Sequence, residues 1–359
     1  MKTNKILLIG PFPEPITGMS LANKVLLDAL INKAYKVDYI NTSLYSFEEN
    51  VGRFSLKKLL FFLKFNIYLH KIFKAQTIYI TPGSTFFGVA KYSLFMLVSS
   101  LLNKRIIIHI HTNNLQSEYQ KISKLKKRIV KYLLQKASFG IVLAPSLKNN
   151  LNPFLPEDKI FVVNNFVENY IISSKDIINN KKPDNLKIVF LSNLMTQKGI
   201  YLLLKALKNI ENNNKLTFEV KLAGYIDKNI EKDVLSKIKD IKSATYLGIV
   251  RGNDKKALLE WSNVFVFPSY LTEGLPLSIL EAFATGNYVI STKHPSLVDF
   301  FNEKSIHFIE KKSVDAIEKA LLEVSDRYNK EIILKNYETV TKHFTVENFS
   351  SSIIEIMNK

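Results

Sequence analysis

The chain of 359 residues contains no cysteine. Disulfides, thiolate nucleophiles and Cys-ligated zinc are excluded, and the absence fits a reducing compartment. There is no Asp-x-Asp pair and there are only six histidines, which argues against a metal-dependent mechanism. The dinucleotide fingerprint G-x-G-x-x-G is absent too. Long apolar runs are missing: the most apolar stretch, Tyr92 to Leu102, falls far short of the roughly 20 residues of a spanning helix. The opening MKTNKILLIG has a short apolar core that Gly10-Pro11 ends, so no signal peptide is expected. The resulting expectation is a cytoplasmic protein.

What is present is a strongly apolar, strongly basic chain. Hydrophobic residues make up 47%, enough for two cores, and the length suggests two domains. Residues 1–170 carry 23 basic and 9 acidic residues, a net of +14, whereas residues 171–359 carry 27 and 23, a net of +4. The field of the first half attracts nucleic acid, anionic lipid or phosphorylated substrates. No helix-turn-helix, RNA-binding aromatic signature or zinc pattern accompanies it, so nucleic acid is not expected as a partner.

Short apolar runs alternate with longer helical patterns. Lys5–Ile9, Val37–Ile40, Thr77–Ile80, Ile106–Ile110, Gly140–Leu143 and Ile160–Val163 read as buried parallel strands. Leu21–Lys33, Leu56–Lys74, Phe87–Leu102 and Lys121–Lys136 read as the helices between them. The polar run Ser173–Asn185 reads as a linker. Strands are then expected at Lys187–Leu191, Phe218–Leu222, Val264–Phe267 and Tyr288–Ser291, and helices at Ile200–Glu211, Asn229–Lys239, Lys255–Trp261, Leu277–Thr285 and Asp315–Tyr328. The fold class is α/β, with two doubly wound, Rossmann-like domains facing a cleft.

Ligands of such sheets bind beyond the carboxyl ends of the strands. After the first strand, Gly18 and Ser20 open a helix, with Ser20 as the expected cap and backbone N–H groups that suit a phosphate. After the fourth strand, His109 and His111 lie on one side; His109 is expected in the core and His111 nearer the ligand. After Lys187–Leu191 comes Asn193, then Lys198-Gly199 at a helix start, where a lysine can neutralise a diphosphate. The most informative segment is Pro268 to Gly286. Glu273 precedes Gly274, which offers backbone freedom, and Pro276 suits a first helical position. Glu281 follows one turn into the helix. The two carboxylates can accept hydroxyls on either side of a phosphate held at the helix start.

At these residues the chain resembles the retaining family 4 glycosyltransferases, which have the GT-B fold. Glu273-x7-Glu281 within EGLPLSILEA carries the resemblance; Lys198-Gly199 and Val163-Asn-Asn165-Phe match more loosely. The resemblance implies an N-terminal acceptor-side domain (1–170), a C-terminal nucleotide-sugar domain (171–345) and a C-terminal helix (346–359) able to pack back on the first. It implies a metal-independent hexosyltransferase without cofactor. A nucleoside-diphosphate sugar, expected as a UDP-sugar, would give its sugar with retention to a hydroxyl of a lipid-linked or growing saccharide in bacterial surface polysaccharide synthesis. Glu273 and His111 would contact the donor sugar, backbone N–H groups in the segment Gly274-Leu275-Pro276-Leu277 (all but Pro276, which has none) the sugar or its phosphate, and Glu281 the ribose. Lys198 would stabilise the leaving diphosphate, approached by the Gly18 loop. Asn193 stands where the family usually has an arginine; Arg251, in a Gly-flanked loop, is the candidate replacement. Lys293–Asp299 replaces a glycine-rich turn. The alternative is a non-catalytic partner that binds nucleotide-sugar without turnover. The basic, aromatic segments Ser55–Lys74 and Lys121–Lys136 suit the anionic inner face of a plasma membrane as a peripheral contact.

Overall fold

The computed structural model describes residues 5–43, 64–214 and 216–359. They group into two compact units: Met1–Asn165 with Thr272–Leu275 and Glu347–Lys359, and Phe166–Leu271 with Pro276–Val346.

The first unit is built on six parallel strands: β1 (Ile6–Gly10), β2 (Val37–Asn41), β3 (Thr77–Ile80), β4 (Arg105–Ile110), β5 (Phe139–Val142) and β6 (Ile160–Val162), in the order β2-β1-β3-β4-β5-β6. Ile6 to Ile9 and Ile106 to Ile108 are buried along their whole length, as strands covered on both faces must be. The order turns back between β1 and β3. There Gly10 is forced by crowding, since a Cβ would overlap Thr81 Oγ1. Asn23 ties the spot together, donating to Pro11 O at 2.8 Å and Thr81 Oγ1 at 2.9 Å.

The helix after β1 runs Gly18–Asn32, and its cap is Thr17 rather than Ser20. Ser20 N donates to Thr17 Oγ1 at 3.0 Å and Thr17 N to Ser20 Oγ at 2.7 Å, a reciprocal capping box. The expected helix Phe87–Leu102 is two, Phe86–Ala90 and Ser93–Leu101, and Lys121–Lys136 contributes Lys124–Leu134 after a separate helix Leu115–Lys121. The start of the expected helix 56–74 lies outside the described residues; a 3-10 turn Phe65–Leu69 and the helix His70–Lys74 form its end. The last helix, Val346–Asn358, buries Phe349, Ile353, Ile356 and Met357, and Lys33 pairs with Glu347 at 2.9 Å.

The second unit has β7 (Leu186–Leu191), β8 (Phe218–Ala223), β9 (Ala244–Tyr246), β10 (Val264–Phe267), β11 (Tyr288–Thr292) and β12 (Ile306–Ile309), all parallel in the order β12-β11-β10-β7-β8-β9. β9 and β12 escaped the sequence reading because they are short, half-exposed edge strands without a continuous apolar run. The order reverses between β7 and β10, which makes their carboxyl ends the place where a ligand is expected.

The polar run Ser173–Asn185 is no linker. Ser174 caps a helix Lys175–Asn180, and Ile178 is fully buried against Gly286. Asn263 Nδ2 donates to Lys182 O and Asn185 O at 2.7 and 2.8 Å, and buried Lys181 donates to Leu259 O at 2.8 Å. Most of its polar side chains do face solvent; what anchors it is buried Ile178 and Lys181 and the carbonyls that Asn263 engages.

Burial pushes Lys181 down to about 7, the charge of Glu260 opposing and that of Lys330 adding. Between about 7 and the ordinary lysine value of about 10.4, the unfolded chain carries a proton that the folded chain lacks. Stability therefore rises with pH across that window. In thermal melts from pH 6 to 10, Lys181→Met is expected to gain on wild type as pH falls, by roughly 2–4 °C per pH unit at most. Parallel melting curves would contradict this.

Candidate active site

In the second unit the loop after β7 is locked onto the loop after β10. Thr196–Lys198 forms a 3-10 turn, and Gly199 follows at φ +83°, capping the helix Ile200–Asn212. A Cβ on Gly199 would overlap the Pro268 carbonyl oxygen, so glycine is required twice over, by conformation and by space. Gln197 O accepts from Tyr270 N at 3.0 Å and Leu271 N at 3.1 Å. The turn thus holds Lys198 at the strand-order reversal, its ammonium 5.2 Å above the Phe267 ring. Asn193 is half-buried on the same loop. Beyond β11, Lys293–Asp299 forms a short helix Pro295–Val298. Buried His294 pairs with Thr292 Oγ1 at 2.9 Å, and Thr292 Oγ1 donates to Ser269 O after β10.

The chain re-enters the second unit at Pro276, which is the N-cap of the helix Leu277–Ala284 rather than its first residue; its φ of −64° still suits the helix. The first turn has no side-chain cap. Glu281 does not lie on a solvated face: it is 5% exposed. Its Oε1 meets Lys255 Nζ at 2.7 Å. Lys255, from the helix Gly252–Trp261, also lies 3.8 Å from Glu168 and 5.7 Å above the Tyr170 ring. Burial works to lower Lys255, but the charge and hydrogen bond of Glu281 outweigh it and hold the lysine above its usual range. Burial raises Glu168, against the pull of Lys255. Arg251 is exposed at the N-cap of the same helix. The residue of this helix that reaches Glu281 is thus Lys255, which the sequence reading missed. No local motif marks it, because its partner is supplied by another helix 26 residues away.

In the first unit the chemistry gathers where β4 ends. His109 is fully buried, its Nδ1 2.5 Å from Tyr79 Oη, as expected of a core histidine. The His111 ring packs 4.0 Å from it, centroid to centroid. Both His111 ring nitrogens, Thr112 Oγ1, Asn114 Oδ1 and Asn165 Oδ1 are buried without a hydrogen-bond partner. Each such atom costs about 1–3 kcal/mol when left unsatisfied, so each calls for a polar partner. Burial pushes His111 down to about 3, which leaves the ring neutral at physiological pH, able to donate from one nitrogen and accept at the other.

Thr272–Leu275 belongs to this unit, and Gly274 explains why. Its φ is not in the left-handed region, so backbone freedom is not its role. A Cβ would overlap the His111 carbonyl oxygen and sit 2.9 Å from Leu143 Cδ1. Glycine is needed for close approach. Asn165 Nδ2 donates to Leu275 O at 2.6 Å and pins the same segment. Glu273, half-buried, is carried beside Gly274. Gly18 is exposed as the first residue of its helix.

The two sheets and their flanking helices have the α/β architecture of the GT-B glycosyltransferases. Anabaena Alr3699/HepE, in complex with UDP and glucose, is similar with a TM-score of 0.73 at 15% identity, over 99% of each chain. Sucrose-phosphate synthase from Thermosynechococcus elongatus is similar with a TM-score of 0.74 at 16% identity, over 99% of this chain and 98% of that one. S. aureus TarM, in a complex that includes UDP, gives 0.62 at 18% identity, over 84% and 59%. By sequence, the family model for glycosyl transferases group 1 matches residues 172–341, which is 170 of the 359 residues. No curated protein matches by sequence.

The close approach at Gly274 can be tested against Gly83, where a Cβ would meet only Gly88 Cα at 3.4 Å. In denaturant unfolding, Gly274→Ala is expected to cost about 1–3 kcal/mol and Gly83→Ala no more than about 0.5 kcal/mol. Equal effects would remove the case for steric exclusion at Gly274.

Proposed function

We propose that this protein is a retaining, metal-independent glycosyltransferase of the hexosyl type, with a nucleoside-diphosphate sugar as donor, in first place a UDP-sugar. The observation that carries the reading is the turn at Lys198-Gly199, locked to Pro268–Leu271 where the strand order of the second unit reverses. That is where an α/β sheet binds phosphorylated ligands. The match of residues 172–341 to glycosyl transferases group 1 supports it. So does the presence of UDP in the HepE and TarM structures, although the likeness to those proteins is one of fold.

In this reading Lys198 faces the leaving diphosphate. Backbone N–H groups of Gly274, Leu275 and Leu277 and the Gly18 loop add to its stabilisation, and Glu281 accepts from the ribose. Glu273 and neutral His111 hold the hydroxyls of the donor sugar. The bond from the anomeric carbon to the diphosphate breaks as a bond to the acceptor oxygen forms on the same face. The acceptor's proton passes to an oxygen of the departing phosphate. Catalysis then rests on electrostatic stabilisation of the leaving group rather than on a nucleophilic side chain. Asn193 contributes no charge, so Lys198 bears more of this load than it would beside an arginine. Arg251 is the candidate second cation from the same unit.

The acceptor in this reading is a lipid-linked or growing saccharide of a bacterial surface polysaccharide, met by the cytoplasmic protein at the anionic inner face of the membrane. The helix Lys124–Leu134 supports the membrane contact. Leu125 (69% exposed), Ile129 and Tyr132 (55% exposed) form one outward stripe at i, i+4 and i+7, bordered by exposed Lys124, Lys126, Arg128 and Lys131. No helix among the described residues is long and apolar enough to cross a membrane.

Calorimetry with UDP-, GDP- and ADP-sugars followed by a transfer or hydrolysis assay tests the donor reading. One nucleotide class is expected to bind. Glu273→Ala is expected to lower kcat by about 100-fold or more while affinity for the free nucleotide changes little. Binding without turnover in the wild type would favour the non-catalytic partner, and no binding at all would refute both. Cosedimentation at low salt tests the membrane contact: binding to vesicles with anionic lipid is expected, and Leu125→Asp with Tyr132→Asp should weaken it by roughly 10-fold. A protein that ignores anionic vesicles would sink that part.

A further inference from the structure

Glu281 and Glu168 are two carboxylates served by one ammonium. Lys255 Nζ lies 2.7 Å from Glu281 and 3.8 Å from Glu168, and the two side chains of the closer pair are 14% and 6% exposed. Tyr170 closes the group, its hydroxyl donating to Glu168 Oε2 at 3.3 Å and its ring lying 5.7 Å from the ammonium. With both carboxylates ionised the cluster keeps a net charge of one negative unit, despite the strongly basic chain around it. Such a group attracts hydroxyl donors and repels phosphate. The lysine's charge is already engaged, so Lys255 is poorly placed to serve as the diphosphate cation missing at Asn193.

A carboxylate offers about four lone-pair positions, and Lys255 donates to one oxygen, Oε1. Stripped of this cation, the buried carboxylate would lose the contact that fixes which oxygen it turns outward. We propose that Lys255 is a positioning residue: its bond to Oε1 fixes the orientation of Glu281, so that the carboxylate accepts from the vicinal hydroxyls of a nucleotide ribose. This rests on the reading above that a nucleotide's ribose meets Glu281. Lys255 acts through Glu281, touching neither the reacting atoms nor the diphosphate.

The test is a comparison of UDP, GDP and ADP with their 2′-deoxy and 3′-deoxy counterparts by calorimetry, using the full chain as wild type, Glu281→Gln, Lys255→Met and Lys255→Arg. For the nucleotide that binds, wild type should prefer the ribo form by about 10-fold or more, and Glu281→Gln should lose most of that preference. Lys255→Met is expected to lose it as well, while its affinity for the deoxy forms moves less than about threefold. Lys255→Arg should restore it. If Lys255→Met weakens ribo and deoxy forms by the same factor, Lys255 is a diphosphate cation or a purely structural residue, and the proposal fails. If wild type itself shows no preference, the ribose does not meet Glu281, and the failure belongs to the donor reading on which the proposal rests. Circular dichroism on each variant separates these outcomes from misfolding, and Lys255→Gln replaces Lys255→Met if the latter does not fold.

Discussion

A parallel sheet covered on both faces has nowhere to place a polar side chain except beyond the ends of its strands. Both units obey this constraint, and most of the chemistry described above follows from it. β1 and β4 are Ile- and Leu-rich through their length, and the polar residues begin where they stop, at Thr81 beside Gly10 and at His111 after Ile110. His109 is one informative exception. It stands inside β4, and the fold tolerates it because Tyr79 on the neighbouring strand offers a hydroxyl within 2.5 Å. In the second unit the same rule brings Lys198, Pro268 and His294 to the carboxyl ends of β7, β10 and β11.

Close approach, more than conformational freedom, governs the glycines that matter. Gly10, Gly199 and Gly274 each abut another residue so tightly that no side chain fits, and only Gly199 also has a left-handed backbone. Glycine is thus the residue that lets one loop touch the next. The loops that converge on the strand ends are fixed by backbone contact.

What could be read from the sequence was what depends on local pattern. Apolar patterns located ten of the twelve strands among the described residues, most plainly in central strands such as β1 and β10, where burial on both faces leaves the run unbroken. β9 and β12 have no such signature, being edge strands of three and four residues. The two glutamates and Lys198-Gly199 were visible as a spacing next to a strand end. Their surroundings were not. Glu281 is buried with Lys255 rather than solvated, and the capping role fell to Thr17, since Ser20 is the reciprocal partner three residues on. These outcomes depend on which helices pack together, information that no window of neighbouring residues holds. Composition misled at Ser173–Asn185, where a few buried residues, Ile178 and Lys181 among them, anchor a segment whose other polar side chains are exposed.

That segment bears on how the two halves of the gene could be separated. Val167 N donates to Phe344 O at 2.8 Å, and Val167 pairs with Thr345, so the second unit is fastened from its first residues onward. A truncation placed at the compositional break, after Asn185, would remove Ile178 from its seat against Gly286 and leave the Asn263 amide without its two carbonyls. Dividing the chain at Asn165 and Phe166 spares those contacts. It leaves behind the stretch from Thr272 to Leu275, a loop that one half encodes and the other half shelters.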